Sequence, residues 1–305
     1  MAKLPGAPDV IAVAPLPGGL TNSNFRIAFG DGRASIEAKL YQHEPNPAPV
    51  ERAVHRLGAA RGLPIPKLLD GADNNAITQT PYALFEWIGG ERLDLAVRGC
   101  APRDVQTLAW KVGTALALIH AVHFEQFGFF DADLNVQGPI DLGGSGMQAY
   151  FKDVLMQGLA RERLGPACAD ALLAFAARES AILDTWHGAP CLTHGDCGGT
   201  NILVTRQDAI WSVAGIIDWE FAFSGTPFFD LGNLLRAPLG GLPGFTEGIA
   251  DGYRAAGGVL PDNWRALAAM TDLLAWVESA ARPYASAEFL TSARQAIEET
   301  IAGWR

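Results

Sequence analysis

The sequence predicts an α+β fold in two parts, a small β-rich part over residues 1–88 and a larger, mainly helical part over residues 89–305. Three observations carry this prediction. The first ninety residues hold short alternating or apolar runs bounded by Gly, Pro, Asn and Asp. From Leu93 onward apolar residues recur at helical spacing. A length of 305 residues fits about two domains of ordinary size.

With 49% hydrophobic and 18% charged residues the chain can bury a sizeable core and is neither disordered nor of low complexity. Its net charge is −10 and it contains no run of Lys or Arg, so the basic footprint that nucleic acid requires is missing. An acidic balance suits a cationic substrate, and equally a surface of solvated carboxylates. No apolar run reaches the length of a membrane span, and Met1-Ala-Lys-Leu-Pro-Gly lacks the apolar core of a signal peptide. The expectation is a cytoplasmic protein with no membrane partner, monomeric or homodimeric. Cys100, Cys168, Cys191 and Cys197 form no Cys-x-x-Cys pair and are expected as reduced thiols, and Cys191, His194 and Cys197 match no usual zinc spacing.

In the β-rich part, Gly18-Gly-Leu-Thr-Asn-Ser-Asn24 reads as a small-residue turn entering a strand at Phe25–Phe29, and its backbone N–H groups can approach a phosphate. It fits neither Gly-x-Gly-x-x-Gly nor a P-loop. Ser35 to Tyr41 alternates, with Ile36, Ala38 and Leu40 on one face and Glu37, Lys39 and Tyr41 on the other. Pro49 opens a helix with Val50, Val54 and Leu57 on one stripe and Glu51 near its start. Tyr82 to Gly90 is an apolar strand ending in glycines.

In the helical part, Val105, Leu108, Ala109, Val112, Ala115, Leu116 and Ile119 form one buried stripe, with His120 and His123 placed to cap the helix end. Gly143-Gly-Ser-Gly146 reads as a surface connection. Helices are expected over 148–163 and 169–186, and again over 247–256 and 262–280, with Asp262 as a cap for the last.

The chemistry concentrates between Cys191 and Asp230. His194-Gly-Asp196 is followed five residues later by Asn201, and Gly215-Ile-Ile-Asp218-Trp-Glu220 closes an apolar run. This is the spacing of a catalytic and metal-binding loop for phosphoryl transfer. That reaction needs an acceptor for the hydroxyl proton and a hard cation to offset charge on the phosphate oxygens. Asp196 suits the first role, and Asn201 with Asp218 the second. Ile202–Val204 and Val213–Ile217 read as two strands of a hairpin that brings those two ligands together.

These segments resemble the aminoglycoside phosphotransferase and choline kinase-like family of small-molecule kinases, through His194-Gly-Asp-x-x-x-x-Asn201, Ile217-Asp-Trp-Glu220 and Gly225-x-Pro227-x-x-Asp230-Leu231. Many members carry Leu-His-Pro-Gly where this chain has Cys197-Gly-Gly-Thr200. The resemblance implies a two-lobed protein-kinase-like fold with an N-terminal nucleotide-binding lobe and a C-terminal catalytic lobe. It also implies ATP, or GTP in its place, together with Mg2+, and a small-molecule hydroxyl acceptor, an antibiotic or a metabolite of the choline, homoserine or sugar-amine type. A non-catalytic nucleotide-binding pseudokinase is the alternative of a different class. By the same resemblance Thr21, Asn22 and Ser23 cover the nucleotide, Lys39 reaches its α- and β-phosphates, and Glu51, with Glu44 as competitor, positions Lys39. The backbone near Glu86 and Ile88 meets the base. Asp272 and Glu278 are acidic residues on the C-terminal helices, where the family's acceptor lies.

Overall fold

A computed structural model describes residues 9–16, 22–42, 44–75, 79–208, 210–283 and 285–304. The chain begins with β1 (Val10–Pro15), β2 (Asn22–Phe29), β3 (Ile36–Tyr41), α1 (Ala48–Arg61), β4 (Leu68–Ala72), β5 (Tyr82–Glu86), β6 (Glu91–Arg92) and the short α2 (Leu93–Ala96). It continues through α3 (Pro102–His120), β7 (Gly128–Phe130), β8 (Val136–Pro139), α4 (Gly144–Gln157), α5 (Leu159–Leu164) and α6 (Pro166–Glu179). There follow β9 (Cys191–Thr193), β10 (Ile202–Gln207), β11 (Ile210–Ile216), β12 (Phe223–Gly225), α7 (Pro227–Leu234), α8 (Phe245–Ala255), α9 (Trp264–Ala281) and α10 (Ala287–Gly303). Two compact units are interleaved along this order. One comprises Met1–Arg98, Phe130–Asn135 and Thr200–Ala222, and the other takes the remaining segments. Among the described residues no helix is long and apolar enough to cross a membrane.

The first unit is built on an antiparallel sheet of order β1-β2-β3-β5-β4. Alternation in β3 is as the sequence predicts, but the face carrying Lys39 and Tyr41 is the buried one. α1 presents Glu51, Arg52, Val54 and His55 as buried residues, whereas Val50 and Leu57 of the predicted stripe are only partly covered. Its inner face is polar because it meets ionic partners: Arg52 pairs with Asp73, and His55 reaches the Pro66 carbonyl at 2.6 Å while stacking on Phe85. The expected hairpin is present. β10 and β11 pair antiparallel from Ile202↔Ile216 to Gln207↔Ile210, and β6 adds a third strand beside β10.

The second unit is helical, with a small sheet of order β8-β7-β12-β9. α3 follows the predicted stripe, all seven of whose positions are buried. It packs against α8 so closely that a methyl group on Gly113 would stand 2.1 Å from the Ile249 carbonyl oxygen, and one on Gly252 1.9 Å from that of Trp110. Helix boundaries differ from expectation where glycine misleads. Gly143 is the N-cap of α4 and Gly144–Gly146 are its first turn, because Gly144 lies against the Ser180 backbone and Gly146 against the Asp141 carbonyl. The helix expected over 148–163 breaks at Gly158 into α4 and α5, and the one after it starts at Pro166 and tightens to a 3₁₀ turn over Ser180–Thr185. Asn263, and not Asp262, occupies the N-cap of α9, without a side-chain cap bond. β1 and α10 carry no expectation from the pattern of the sequence.

The α3–α8 contact leaves no room for a side chain. Gly252→Ala should therefore cost about 1–3 kcal/mol through overpacking, read as a lower midpoint in urea denaturation. An unchanged midpoint would show that the two backbones do not meet this closely.

Candidate active site

Lys39 projects from the inner face of β3 and its side chain is 2% exposed. Its ammonium lies 3.0 Å from Glu51 Oε2, contacts Asp218 Oδ1 and stands 3.3 Å from Glu220 Oε2. Burial alone would drive the charge off Lys39, but Glu51, Asp218 and Glu220 outweigh it and hold its pKa well above that of an ordinary lysine. Glu51 is fixed in turn by the Tyr41 hydroxyl at 2.7 Å and the Trp219 backbone N–H at 3.1 Å. The competing Glu44 lies exposed and accepts from the Asn46 N–H, so it is Glu51 that pairs with Lys39.

The hairpin sets the neighbouring groups. Its ladder continues past the named strands with a bond from the Ile217 N–H to the Asn201 carbonyl at 2.9 Å, which places Asn201 across from the residue preceding Asp218. Asp218 has a left-handed backbone, φ 69°. Such a conformation is uncommon outside glycine and is found disproportionately at functional sites. The Trp219 indole anchors the turn by donating to the Ile216 carbonyl at 2.8 Å.

Asn22 is buried at the start of β2 and donates through Nδ2 to Glu220, so it joins the Lys39 group. Ser23 does not: its hydroxyl donates to Gln42 Oε1 at 2.9 Å on the exposed side. Thr21 and Gly18 to Leu20 lie outside the described residues. Glu86 ends β5, and Ile88 passes over β11, where a methyl group on Gly215 would meet its side chain at 3.3 Å. Glu37 is half-buried on the Lys39 side of β3. Burial raises its carboxyl to about 7 against the pull of Lys39, with Glu51 and Asp218 adding to the rise.

In the helical unit, Asp196 follows Gly195, whose φ of 80° is a left-handed turn that suits glycine. The loop is held from behind by Asp230, which is fully buried. Asp230 accepts the His194 N–H at 2.8 Å and the Gly195 N–H at 3.0 Å, while the Asp196 N–H donates to His194 Nδ1 at 3.1 Å. His120 is not a helix cap. Its Nε2 bonds Asp230 at 3.1 Å and its Nδ1 the Tyr253 hydroxyl at 3.0 Å, whereas His123 is exposed. Burial would raise the Asp230 pKa, but His120 and His194 overcome it and lower it. Burial also pushes the Cys191 thiol up to about 12 and raises that of Cys197, so neither offers a thiolate to a metal.

In the sequence Glu220 and Asp230 stand within motifs and Tyr41 on the Lys39 face, all without an assigned role, and Tyr253 carries no signal at all. The spacing Asp218-x-Glu220 was the available signal for the first. The acidic residues considered for the acceptor side are already paired. Asp272 accepts two bonds from Arg236 Nε at 3.0 Å, that guanidinium lies 3.8 Å from the Trp276 ring centre, and Glu278 pairs with Arg282 at 2.8 Å. The same unit holds a cavity of about 270 Å³ bordered by Trp186, Phe228, Phe229 and Asp184.

The profile of the phosphotransferase enzyme family matches residues 12–299. Viomycin phosphotransferase of Streptomyces vinaceus is 36% identical over 72 residues, a stretch covering 23% of this chain and 25% of that protein. Among solved structures, APH(2")-IIia in complex with GDP and kanamycin superposes with a TM-score of 0.71 at 16% identity, covering 99% of this chain and 96% of that one. An ethanolamine kinase of Plasmodium vivax superposes with a TM-score of 0.63 at 13% identity, covering 97% and 84%. These likenesses establish the two-part protein-kinase-like fold.

Two outcomes test this geometry. The folded Glu37 carboxyl binds its proton more tightly than the unfolded one, whose pKa is 4.5, so its contribution to stability is complete below that value and gone above about 7. Wild type should therefore lose stability relative to Glu37→Gln as pH rises from about 5 to 8, read by urea denaturation. A difference that stays constant across this range refutes the placement of Glu37. Asp230→Ala should cost about 3–5 kcal/mol, because it strands His120 and two buried N–H groups. A loss below about 1 kcal/mol would mean that the brace contributes no more than a surface pair.

Proposed function

The chain belongs to the phosphotransferase enzyme family, and on that premise we propose that this small-molecule kinase moves the γ-phosphate of ATP, or of GTP, to a hydroxyl of a small amine-bearing acceptor. The observation that carries the reading is the buried Lys39–Glu51 pair sharing its ammonium with Asp218, at the end of the hairpin that pairs Asn201 with Ile217.

In this reading Lys39, oriented by Glu51, holds the α- and β-phosphates. Asn22 supports the entrance to β2, and the backbone of Glu86 to Ile88 receives the base. Asn201 and Asp218 suit Mg2+, since both offer oxygen and Mg2+ takes one or two protein ligands beside phosphate oxygens and water. When bound, Mg2+ would offset the charge on the transferred phosphate oxygens. Asp196 accepts the proton from the acceptor hydroxyl and holds that oxygen toward the γ-phosphorus. An amine-bearing acceptor is supported by the relatives, whose names and complexes carry viomycin, kanamycin and ethanolamine. Antibiotics and amino-alcohol metabolites are both in this class.

The test begins with a magnesium–nucleotide turnover screen across aminoglycosides, peptide antibiotics, choline, homoserine and sugar amines. On the acceptor it finds, Asp196→Asn should lower turnover ~10²- to 10⁴-fold with nearly constant nucleotide affinity. Asp218→Ala should instead abolish magnesium-dependent nucleotide binding by calorimetry. Equal turnover in wild type and Asp196→Asn removes Asp196 as the base, and a wild type that binds nucleotide but turns over no acceptor favours the pseudokinase.

A further inference from the structure

We infer that Asp218 is a built-in competitor of the nucleotide: until a cation takes its carboxylate, it holds the place on Lys39 that a phosphate must occupy. The inference rests on the reading above that Lys39 receives the α- and β-phosphates and that Asp218 suits Mg2+.

A count of donors carries it. A lysine ammonium has three N–H donors and no acceptor. Around Lys39 stand three carboxylates, Glu51 at 3.0 Å, Glu220 at 3.3 Å and Asp218 in direct contact. The Tyr41 ring centre lies 5.3 Å from the same nitrogen, and the lysine side chain is almost wholly buried. One carboxylate for each donor leaves none for a fourth oxygen. A phosphate can therefore bond Lys39 only by taking the place of one of the three.

The surroundings say which one gives way. Glu51 is buried and accepts from the Tyr41 hydroxyl and the Trp219 N–H. Glu220 is buried and accepts from Asn22 Nδ2, while Asn22 Oδ1 accepts the Gln42 N–H at 3.3 Å, so this acid is tied to the ends of both β2 and β3. Of the three only Asp218 is partly exposed, and it stands on the turn that leaves β11. Its departure alone would leave a free carboxylate beside an anionic ligand, where like charges repel. The exchange becomes favourable when that carboxylate meets a hard cation, for which Asn201, across the ladder from Ile217, supplies a second oxygen. Magnesium and nucleotide then favour the same state, the one in which Asp218 has left Lys39, and each raises affinity for the other.

The test is calorimetric titration of ADP, in EDTA and in excess Mg2+, into wild type, Asp218→Asn and Glu220→Gln, with thermal unfolding as a check on folding. Asn keeps the size of Asp and tolerates the left-handed backbone; Asp218→Gly serves in its place if that variant does not fold. In EDTA, Asp218→Asn is expected to bind ADP at least ~10-fold more tightly than wild type, the scale of one hydrogen bond to a charged group. Glu220→Gln removes the same charge from a member that Asn22 holds in place, and should stay within ~3-fold of wild type. Added Mg2+ should tighten ADP at least ~10-fold in wild type and less than ~3-fold in Asp218→Asn. Equal metal-free affinity in wild type and Asp218→Asn would leave Asp218 a metal ligand only and overturn the competition. Equal gains in Asp218→Asn and Glu220→Gln would overturn it as well, since the cause would be the charge of the group and not the place on Lys39. A wild type that binds no ADP even with Mg2+ overturns the kinase reading itself.

Discussion

The buried ammonium of Lys39 among Glu51, Asp218 and Glu220 is the interaction on which the first unit depends. Three acids around one base leave an excess of negative charge where water is scarce. Removing charges from water costs several kcal/mol per ion even after relaxation, so such a group persists only because each member has further bonds. Glu51 gains Tyr41 and the Trp219 N–H, and Glu220 gains Asn22. Asp218 is the member best able to change partners: it is 35% exposed, against 1% for Glu51 and 5% for Glu220.

A second constraint operates in the helical unit and works through backbone. Asp230 ties two consecutive N–H groups, those of His194 and Gly195, immediately before Asp196. A carboxylate that accepts two backbone N–H bonds and one imidazole is held in a single orientation, and so is the loop it grips. The chain from Asp230 through His120 to Tyr253 connects this loop to α8, which reaches α3 only because Gly113 and Gly252 leave room. Packing between α3 and α8 thus bears on where the loop before Asp196 is held.

Much of this was legible in the sequence, for reasons that differ by residue. The β10–β11 hairpin, the alternation of β3 and the α3 stripe each follow from local periodicity, whereas the burial of the Lys39 face of β3 does not. Lys39 with Glu51 was legible through the resemblance to the kinase family, which pairs a strand lysine with a glutamate on the next helix and here left Glu44 as a competitor. Partners separated by 110 and 133 residues, such as Asp230 and Tyr253 with His120, leave no local trace, so a histidine in the last turn of α3 reads as a cap. The inner face of α1 was misread because the stripe rule expects apolar residues, and this helix instead buries an acid, an arginine and a histidine. Gly143 to Gly146 reads as a loop because the tight contacts that demand small residues there are tertiary.

The net charge of −10 invites the inference that the acceptor is drawn by exposed carboxylates, and the pairing on α9 argues otherwise. Asp272 is held by two bonds from Arg236, whose guanidinium also stacks on Trp276. An amine could claim this carboxylate only by displacing that cation, and the exchange would strip one positive charge of its partner in order to satisfy another. The net gain is therefore small, whatever the charge of the ligand. Glu278 differs: it is exposed, and its pair with Arg282 one turn on is an ordinary surface contact worth little. The net charge of the chain therefore says nothing about these two acids, whose charge is already met by Arg236 and, at the end of α9, by Arg282.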